Sequence, residues 1–259
     1  MTTAQPVRMP PLTLTGWLRW DVVGRALDTL APQTVLEFGC GQGAAGARIA
    51  ARTSRYVGVE LDPESAAVAT HRIEPLGGTV LVGDDTAVPE GSEFDLVCAF
   101  EVLEHIEDDA GALASWRRFI RPRGHLLLSV PAHPERFGPT DELVGHFRRY
   151  AERDLHELLE KCGFGDVRTS FYGWPIGYAV ESGRDVLTRR SRAGADSMAE
   201  RTATSGRFRQ PKEGSPVASA LEMATWPFRR IQRLTSRHGT GLIVVAERPA
   251  DPGEATGSR

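Results

Sequence analysis

The segment Val35-Leu36-Glu37-Phe38-Gly39-Cys40-Gly41-Gln42-Gly43 does most to limit what this chain can become, because an apolar run passes straight into three alternating glycines and then into a helix-forming stretch. Glycines let the backbone turn sharply and approach a ligand closely, and strand, tight turn and helix in that order open an α/β sheet. The chain that follows keeps the same rhythm. Short β-branched runs alternate with helical periodicity: strand Thr34 to Phe38, helix Ala44 to Arg52, strand Tyr56 to Glu60, helix Pro63 to Ile73 and strand Thr79 to Val82. Strand Phe94 to Ala99, helix Asp108 to Ile120 and strand Gly124 to Val130 continue it. This βαβα alternation predicts an α/β fold with a parallel sheet and helices on both faces.

On either side lie elements of a different kind. Apolar residues recur at helical spacing from Trp17 to Leu30 and stop at Pro32, which predicts an N-terminal helix able to cover the cleft. Asp154 to Cys162 reads as a helix ended by Gly163, Asp166 to Phe171 as a strand, and Gly241 to Ala246 as a last strand. About 70 residues separate those two strands, far more than a usual connection, so an insertion must fill the gap. It reads as a helix near Ile176 to Thr188, a mobile polar stretch from Arg189 to Ser215, and a helix from Val217 to Ser236 that Pro227 should kink or split. The expected organisation is a helical cap (1–33), a core (34–171 and 239–248), a helical, partly mobile lid (172–238) and a disordered tail (249–259).

Composition bounds the function classes. With 41% hydrophobic and 25% charged residues the chain can bury a sizeable core. No apolar run approaches the roughly 18 residues of a membrane span, and Met1 to Pro11 lacks a secretory layout, so a cytoplasmic location is expected. Cys40, Cys98 and Cys162 show no metal-ligand spacing and read as reduced thiols. The net charge of -3 hides an uneven distribution: residues 184–237 hold 12 basic and 5 acidic side chains. An acidic body with a basic insertion argues against a nucleic-acid partner, while leaving the insertion free to face an anionic substrate or membrane surface.

The glycine turn has two readings. Gly41-x-Gly43-x-x-Gly46 satisfies the dinucleotide fingerprint, which would make the chain a nicotinamide-dependent oxidoreductase. Glu37-x-Gly39-x-Gly41-x-Gly43 instead resembles the first motif of the class I S-adenosylmethionine-dependent methyltransferases, in which the acid can accept from the cofactor's α-amino group. Glu60, ending the second strand, suits the ribose hydroxyls in either reading. Asp84 and Asp85, ending the third, favour adenosylmethionine, since the family's residue at Asp84 contacts the adenine amino group. The resemblance implies a Rossmann-like, seven-stranded, mostly parallel sheet with a reversed last strand and a helical insertion between the last two strands. The cofactor-binding set it implies is Glu37, Gly39, Cys40, Gly41, Gly43, Glu60, Leu61, Asp84, Asp85, Phe100 and Glu101. A third possibility is a protein that binds the cofactor without catalysis.

On the acceptor side, Phe94-Asp95-Leu96-Val97 followed by Phe100-Glu101-Val102-Leu103-Glu104-His105-Ile106 is similar to the fourth motif of the branch that includes ubiquinone-pathway O-methyltransferases. Ligands of open α/β sheets sit at the strand ends, so Phe100 and Glu101 are placed to line the sulfonium end. His105 is the best available general base for a hydroxyl acceptor, with turn capping as its structural alternative. Glu101, Glu104, His105 and His146 also resemble the set with which methyltransferases of small-RNA ends hold a divalent ion. Arg148, Arg149 and Tyr150 are candidates to hold an anionic or ring-bearing acceptor, while His133, between prolines, reads as a turn residue. The insertion, with Tyr172, Trp174, Pro175, Tyr178, Trp226 and Phe228, has the aromatic content of a lid over an apolar small-molecule acceptor. Arg229, Arg230, Arg233 and Arg237 would equally suit an amphipathic helix on anionic lipid, carrying a lipid-linked substrate, or a dimer contact.

Overall fold

The computed structural model describes residues 9–191, 215–234 and 237–250. Most of the expected mobile stretch, the start of the cap and residues 251–259 of the expected tail lie outside them.

Thr13 caps the first helix, α1 (Leu14–Leu30), by accepting from Gly16 N at 3.0 Å, so the helix begins a turn before the apolar periodicity that starts at Trp17. There follow β1 (Thr34–Phe38), α2 (Ala44–Ala50), β2 (Arg55–Glu60), α3 (Pro63–Ile73), β3 (Thr79–Val82), β4 (Phe94–Phe100), α4 (Asp109–Arg117) and β5 (Ile120–Pro131). The chain then forms α5 (Pro139–Val144), α6 (Glu152–Lys161), β6 (Gly165–Gly173), α7 (Ile176–Ser191), α8 (Pro216–Gln232) and β7 (Gly239–Glu247). The seven strands pair in the order β3-β2-β1-β4-β5-β7-β6, with β7 antiparallel to both of its neighbours and the remaining pairs parallel. This is the expected sheet with its reversed last strand. The order reverses between β1 and β4, and the crevice of such a sheet opens at the carboxyl ends of those two strands.

Alternation along the strands sorts the core onto two faces. Leu36, Phe38, Leu126 and Leu128 pack with Leu113 and Trp116 of α4 and Leu155 and Leu159 of α6, where Phe38 stacks on Trp116 at 5.2 Å. Val35, Cys98 and Leu127 pack on the other face with Leu18, Val22 and Val23 of α1, Ala47 of α2 and Ala69 of α3. Burying a single such side chain contributes roughly 1.5–3 kcal/mol, so the two layers together hold the sheet between its helices.

Several boundaries differ from the sequence reading. The helix expected to reach Ile120 stops at Arg117, because Ile120 instead pairs with Phe94 at the start of a longer β5. The loop before Tyr150 contains the helix α5, bounded by Pro139 and by Gly145 in a left-handed conformation. β6 extends to Gly173, so Tyr172 belongs to the sheet and is buried rather than forming part of a lid. Pro227 does not split α8, although it removes the usual helical donor to the Met223 carbonyl; the preceding Glu222 carbonyl accepts from Thr225 Oγ1 at 2.9 Å and Arg229 Nη2 at 3.1 Å. Buried Gln232 clasps this helix to the rest, donating to Leu18 O at 2.9 Å and accepting from Gly173 N at 3.1 Å. No helix among the described residues is long and apolar enough to cross a membrane.

Gly46 has a packing reason of its own. A Cβ there would lie 2.3 Å from the Tyr56 hydroxyl, and buried Tyr56 has nowhere to retreat. Gly46→Ala should therefore lower stability by about 1–3 kcal/mol. Thermal denaturation of the apo protein tests this, and an unchanged Tm would show that the α2–β2 contact is looser than described.

Candidate functional site

The carboxyl ends of β1, β2 and β4 bring together most of the acids singled out in the sequence. In β1, Glu37 is 2% exposed and accepts a hydrogen bond of 2.6 Å from the hydroxyl of Tyr56. The strand register explains that contact. Glu37 stands opposite Gly58, and Tyr56 lies two residues earlier on the same face, so the missing side chain at Gly58 leaves room for the phenol to reach across. A Cβ at Gly58 would come within 3.0 Å of both Cys40 Sγ and the Tyr56 hydroxyl. Burial pushes the Glu37 carboxyl up to about 7, against the lowering effects of Tyr56 and Arg19.

The turn after β1 holds Gly39, Gly41 and Gly43 at positive φ values of 66°, 56° and 75°. These angles favour glycine, and at Gly39 a Cβ would also strike Val102 Cγ2 at 2.5 Å. At Gly41 a Cβ would meet nothing within 4 Å, so the backbone there borders open space. Glu60 braces the turn, with Oε2 accepting from Gly41 N at 2.7 Å and Oε1 from Asp62 N at 3.0 Å. A carboxylate has about four lone-pair sites, so Glu60 retains acceptor capacity toward the crevice.

Other residues of the predicted set are placed differently. Leu61 is 71% exposed beside Glu60. Asp84 lies at the surface and caps a short turn, accepting from Thr86 N at 3.0 Å and Thr86 Oγ1 at 2.6 Å, which hold its carboxyl below its ordinary range. Asp85 turns toward α4, where it accepts from Ser115 Oγ and pairs with Arg118 at 3.2 Å. The Cys40 and Phe100 side chains are buried in the core layer under α1. Burial raises the Cys40 thiol well above its ordinary value, in keeping with a structural, protonated cysteine.

At the end of β4, Glu101 adopts a left-handed backbone with φ 59°, a conformation that costs a non-glycine residue about 1–3 kcal/mol and clusters at functional sites. Its Oε1 accepts from Ser129 Oγ at 2.9 Å and Tyr172 Oη at 3.0 Å, and Arg19 Nη1 of α1 stands 3.5 Å away. Arg19, Tyr56 and Ser129 were not singled out from the sequence, and Tyr172 was read as part of the lid. For Arg19 the trace was a charge among the apolar residues of an amphipathic helix; for Tyr56, a glycine two residues on.

Beyond Glu101 the chain makes one short turn. Glu104 is fully buried, and neither carboxylate oxygen has a hydrogen-bond partner; burial first, and then the charge of Glu101, raise its carboxyl well above the ordinary range. The His105 and His146 rings meet edge to face with centroids 4.6 Å apart. Burial, followed by repulsion from His146, pushes His105 down to about 4, and its Nδ1 is buried without a partner. His146 Nε2 faces Glu104 Oε1 at 3.8 Å, while His146 Nδ1 is held at 2.8 Å by Asp141 Oδ1. Asp141 is fixed in turn by Arg149 Nε at 3.0 Å and Gly138 N at 2.8 Å. One ligand atom from each of Glu104, His105 and His146 lies within 4.8 Å of the others. A carboxylate and two imidazoles, one oriented by a second carboxylate, have the chemistry of a divalent-ion site. Glu101 does not join this group.

The expected acceptor-binding arginines are already engaged. Arg149 is buried on Asp141 and pairs with Glu181 at 3.3 Å, and Arg148 pairs with Asp109 at 2.6 Å. Tyr150 is a core residue whose hydroxyl donates to Asp109 at 3.0 Å, whereas Phe147 is half exposed. His133 is the turn residue the prolines suggested, with φ 68° and Nε2 2.9 Å from Gly239 O.

Residues 19–169 match the family profile described as a methyltransferase domain, which is more than half of the chain. The chain therefore belongs to that family, the class I S-adenosylmethionine-dependent methyltransferases, and this sets aside the nicotinamide reading of the glycine turn. Among curated proteins it is similar to a ubiquinone biosynthesis O-methyltransferase of Xanthomonas oryzae pv. oryzae, 33% identical over 126 residues that cover 46% of this chain and 52% of that one. The chain spans about half the length of the curated relatives it matches. Among solved structures, the YcgJ protein of Bacillus subtilis superposes with a TM-score of 0.58 at 16% identity, covering 88% of this chain and 98% of that one. A phosphoethanolamine N-methyltransferase of Haemonchus contortus, solved with S-adenosyl-L-methionine, gives 0.55 at 19% identity over 89% of this chain and 53% of its own. At those identities the two likenesses show the fold.

Folding raises the Glu37 carboxyl above its unfolded value, so its contribution to stability is fully present below about pH 4.5 and is lost as pH rises through about 7. Glu37→Gln keeps an acceptor for Tyr56 and removes the titration. Denaturation of the apo protein from pH 5 to 8 should show the wild type losing about 2–3 kcal/mol that the variant keeps. Parallel pH profiles for the two proteins would contradict the assignment.

Proposed function

We propose that this protein transfers the methyl group of S-adenosylmethionine to a hydroxyl oxygen of a small biosynthetic or lipid-linked acceptor. The observation that carries this reading is the position of His105, one short turn past the end of β4 where the sheet order reverses, with its ring packed against His146. In this reading Glu37 takes the cofactor's ammonium, Glu60 its ribose, and Gly39 to Gly43 admit it closely, with Leu61 and Asp84 toward the adenine. Glu101, already oriented by Ser129 and Tyr172, faces the sulfonium end.

Methyl transfer is an in-line displacement on a carbon activated by its cationic sulfur, so placing the acceptor oxygen supplies much of the rate. The acceptor's proton goes to His105, which is unprotonated throughout the physiological range. A base held at about 4 is weak for that task. Glu104 points to the remedy. Its two buried carboxylate oxygens have no hydrogen-bond partner, and with His105 and His146 they would suit a divalent ion; in that alternative His105 is a ligand instead of the base, and the ion would supply the lowered pKa of the acceptor hydroxyl. The exposed Trp226 and Leu234 on and after α8 agree with a lid or lipid-facing role for the insertion.

His105→Ala should reduce kcat by about 10²–10⁴ while leaving S-adenosylhomocysteine affinity within about twofold. Unaltered turnover would remove His105 from the chemistry. For the ion, equilibrium dialysis of the chelator-treated protein against Mn²⁺ should recover one equivalent in the wild type and none in Glu104→Gln or His146→Ala. Equal uptake by all three, or full activity after chelation, would contradict the ion.

A further inference from the structure

We propose that Arg184 of α7 reads an anionic group, a carboxylate or a phosphate, on the methyl acceptor; this rests on the methyltransferase reading given above. Helical spacing places Gly177, Glu181, Arg184 and Thr188 on one face of α7. That face is turned inward: a Cβ at Gly177 would lie 2.7 Å from Thr240 Oγ1 of β7, Glu181 pairs with Arg136 at 3.0 Å and Arg149 at 3.3 Å, and Thr188 is buried. Arg184 therefore extends from the inward face of α7, the helix that packs against α5.

Among the described residues, Arg184 is the one arginine away from the open surface that has no hydrogen bond, ion pair or ring contact. Every other candidate cation near the site is bound. Arg148 is held by Asp109, Arg149 by Asp141 and Glu181, Arg136 by Glu181, and Arg19 by Glu101. The groups whose fields reach Arg184 are Glu181, Glu101 and Tyr172, and the last two stand at the proposed methyl-transfer point. Burial works against its charge, and no neighbour fully compensates. A planar guanidinium with five donors, half-buried on the inward face of α7 and unengaged, matches the bidentate geometry of a carboxylate or phosphate. The basic balance of the insertion carrying α7 would favour the approach of such an acceptor.

The test uses the full chain saturated with S-adenosylhomocysteine and follows the arginine Nε–H resonances during titration with benzoate, inorganic phosphate and benzamide. The Arg184 signal, identified by its absence in Arg184→Gln, should shift with at least one anion, and that anion should bind about tenfold or more tightly than benzamide. Benzoate against phosphate distinguishes the two sources of charge. Arg184→Gln should weaken the preferred anion by about 10- to 100-fold, and Arg184→Lys by less. Equal affinity for anions and benzamide, or an anion affinity unchanged in Arg184→Gln, would overturn the proposal, as would a variant that altered only cofactor affinity, since Arg184 would then merely balance Glu101. Saturation with S-adenosylhomocysteine is measured first in each protein, so failure of the cofactor reading registers separately.

Discussion

A carboxyl group buried in the middle of a parallel sheet is costly unless something in the fold compensates it, and here the compensation is the hydrogen bond from Tyr56 to Glu37. Much of the local sequence is explained by that one contact. Gly58 leaves the space through which the phenol reaches the acid, and Gly46 lets α2 settle over the phenol. The glycine turn then leaves β1 immediately beyond the acid, with Glu60 of the neighbouring strand holding Gly41 N. The result is a proton-holding acid at the root of a backbone cradle. A group of this kind is held neutral in the empty protein and is ready to ionise when a cation arrives.

The same economy extends across the crevice. Glu101 accepts a left-handed backbone and gathers Ser129 from β5, Tyr172 from β6 and Arg19 from α1, so elements distant in sequence meet on one carboxylate. A few residues farther on, Asp141 and Arg149 fix His146 against Glu104 and His105. No buried polar side-chain atom of the first group lacks a hydrogen-bond partner, whereas Glu104 and His105 of the second do. Buried polar atoms without partners are rare and costly in native proteins, and it is this group that the proposed ion would complete.

The sheet was legible in the sequence because its strands are short, largely apolar runs that alternate with helical stretches, the pattern of parallel strands buried on both faces. Glu37, Glu60 and Glu101 stood out as acids at or near strand ends, and the parallel pairing of β1 with β2 and β4 brings those ends to one edge of the sheet. Less visible were groups whose function depends on cross-chain distance. Nothing local in Tyr56 or Tyr172 announces that each meets a carboxylate from another strand. Arg148 and Arg149 looked available, but α5, a short helix obscured by loop-like residues, supplies Asp141 to engage one of them, and Asp109 engages the other. Asp85 is engaged in a similar way, since the end of α4 brings Ser115 and Arg118 to it. Tyr172 was assigned to the insertion only because β6 runs two residues past its β-branched stretch.

The central claim is that Glu37 exchanges its proton for the cationic end of S-adenosylmethionine. Calorimetric titration of the apo protein with that cofactor at pH 6, repeated in buffers of different ionisation enthalpy, measures this exchange. The account predicts one cofactor per chain, release of most of one proton in the wild type, and no such release in Glu37→Gln. Binding that releases no proton, or no binding at all, would contradict it.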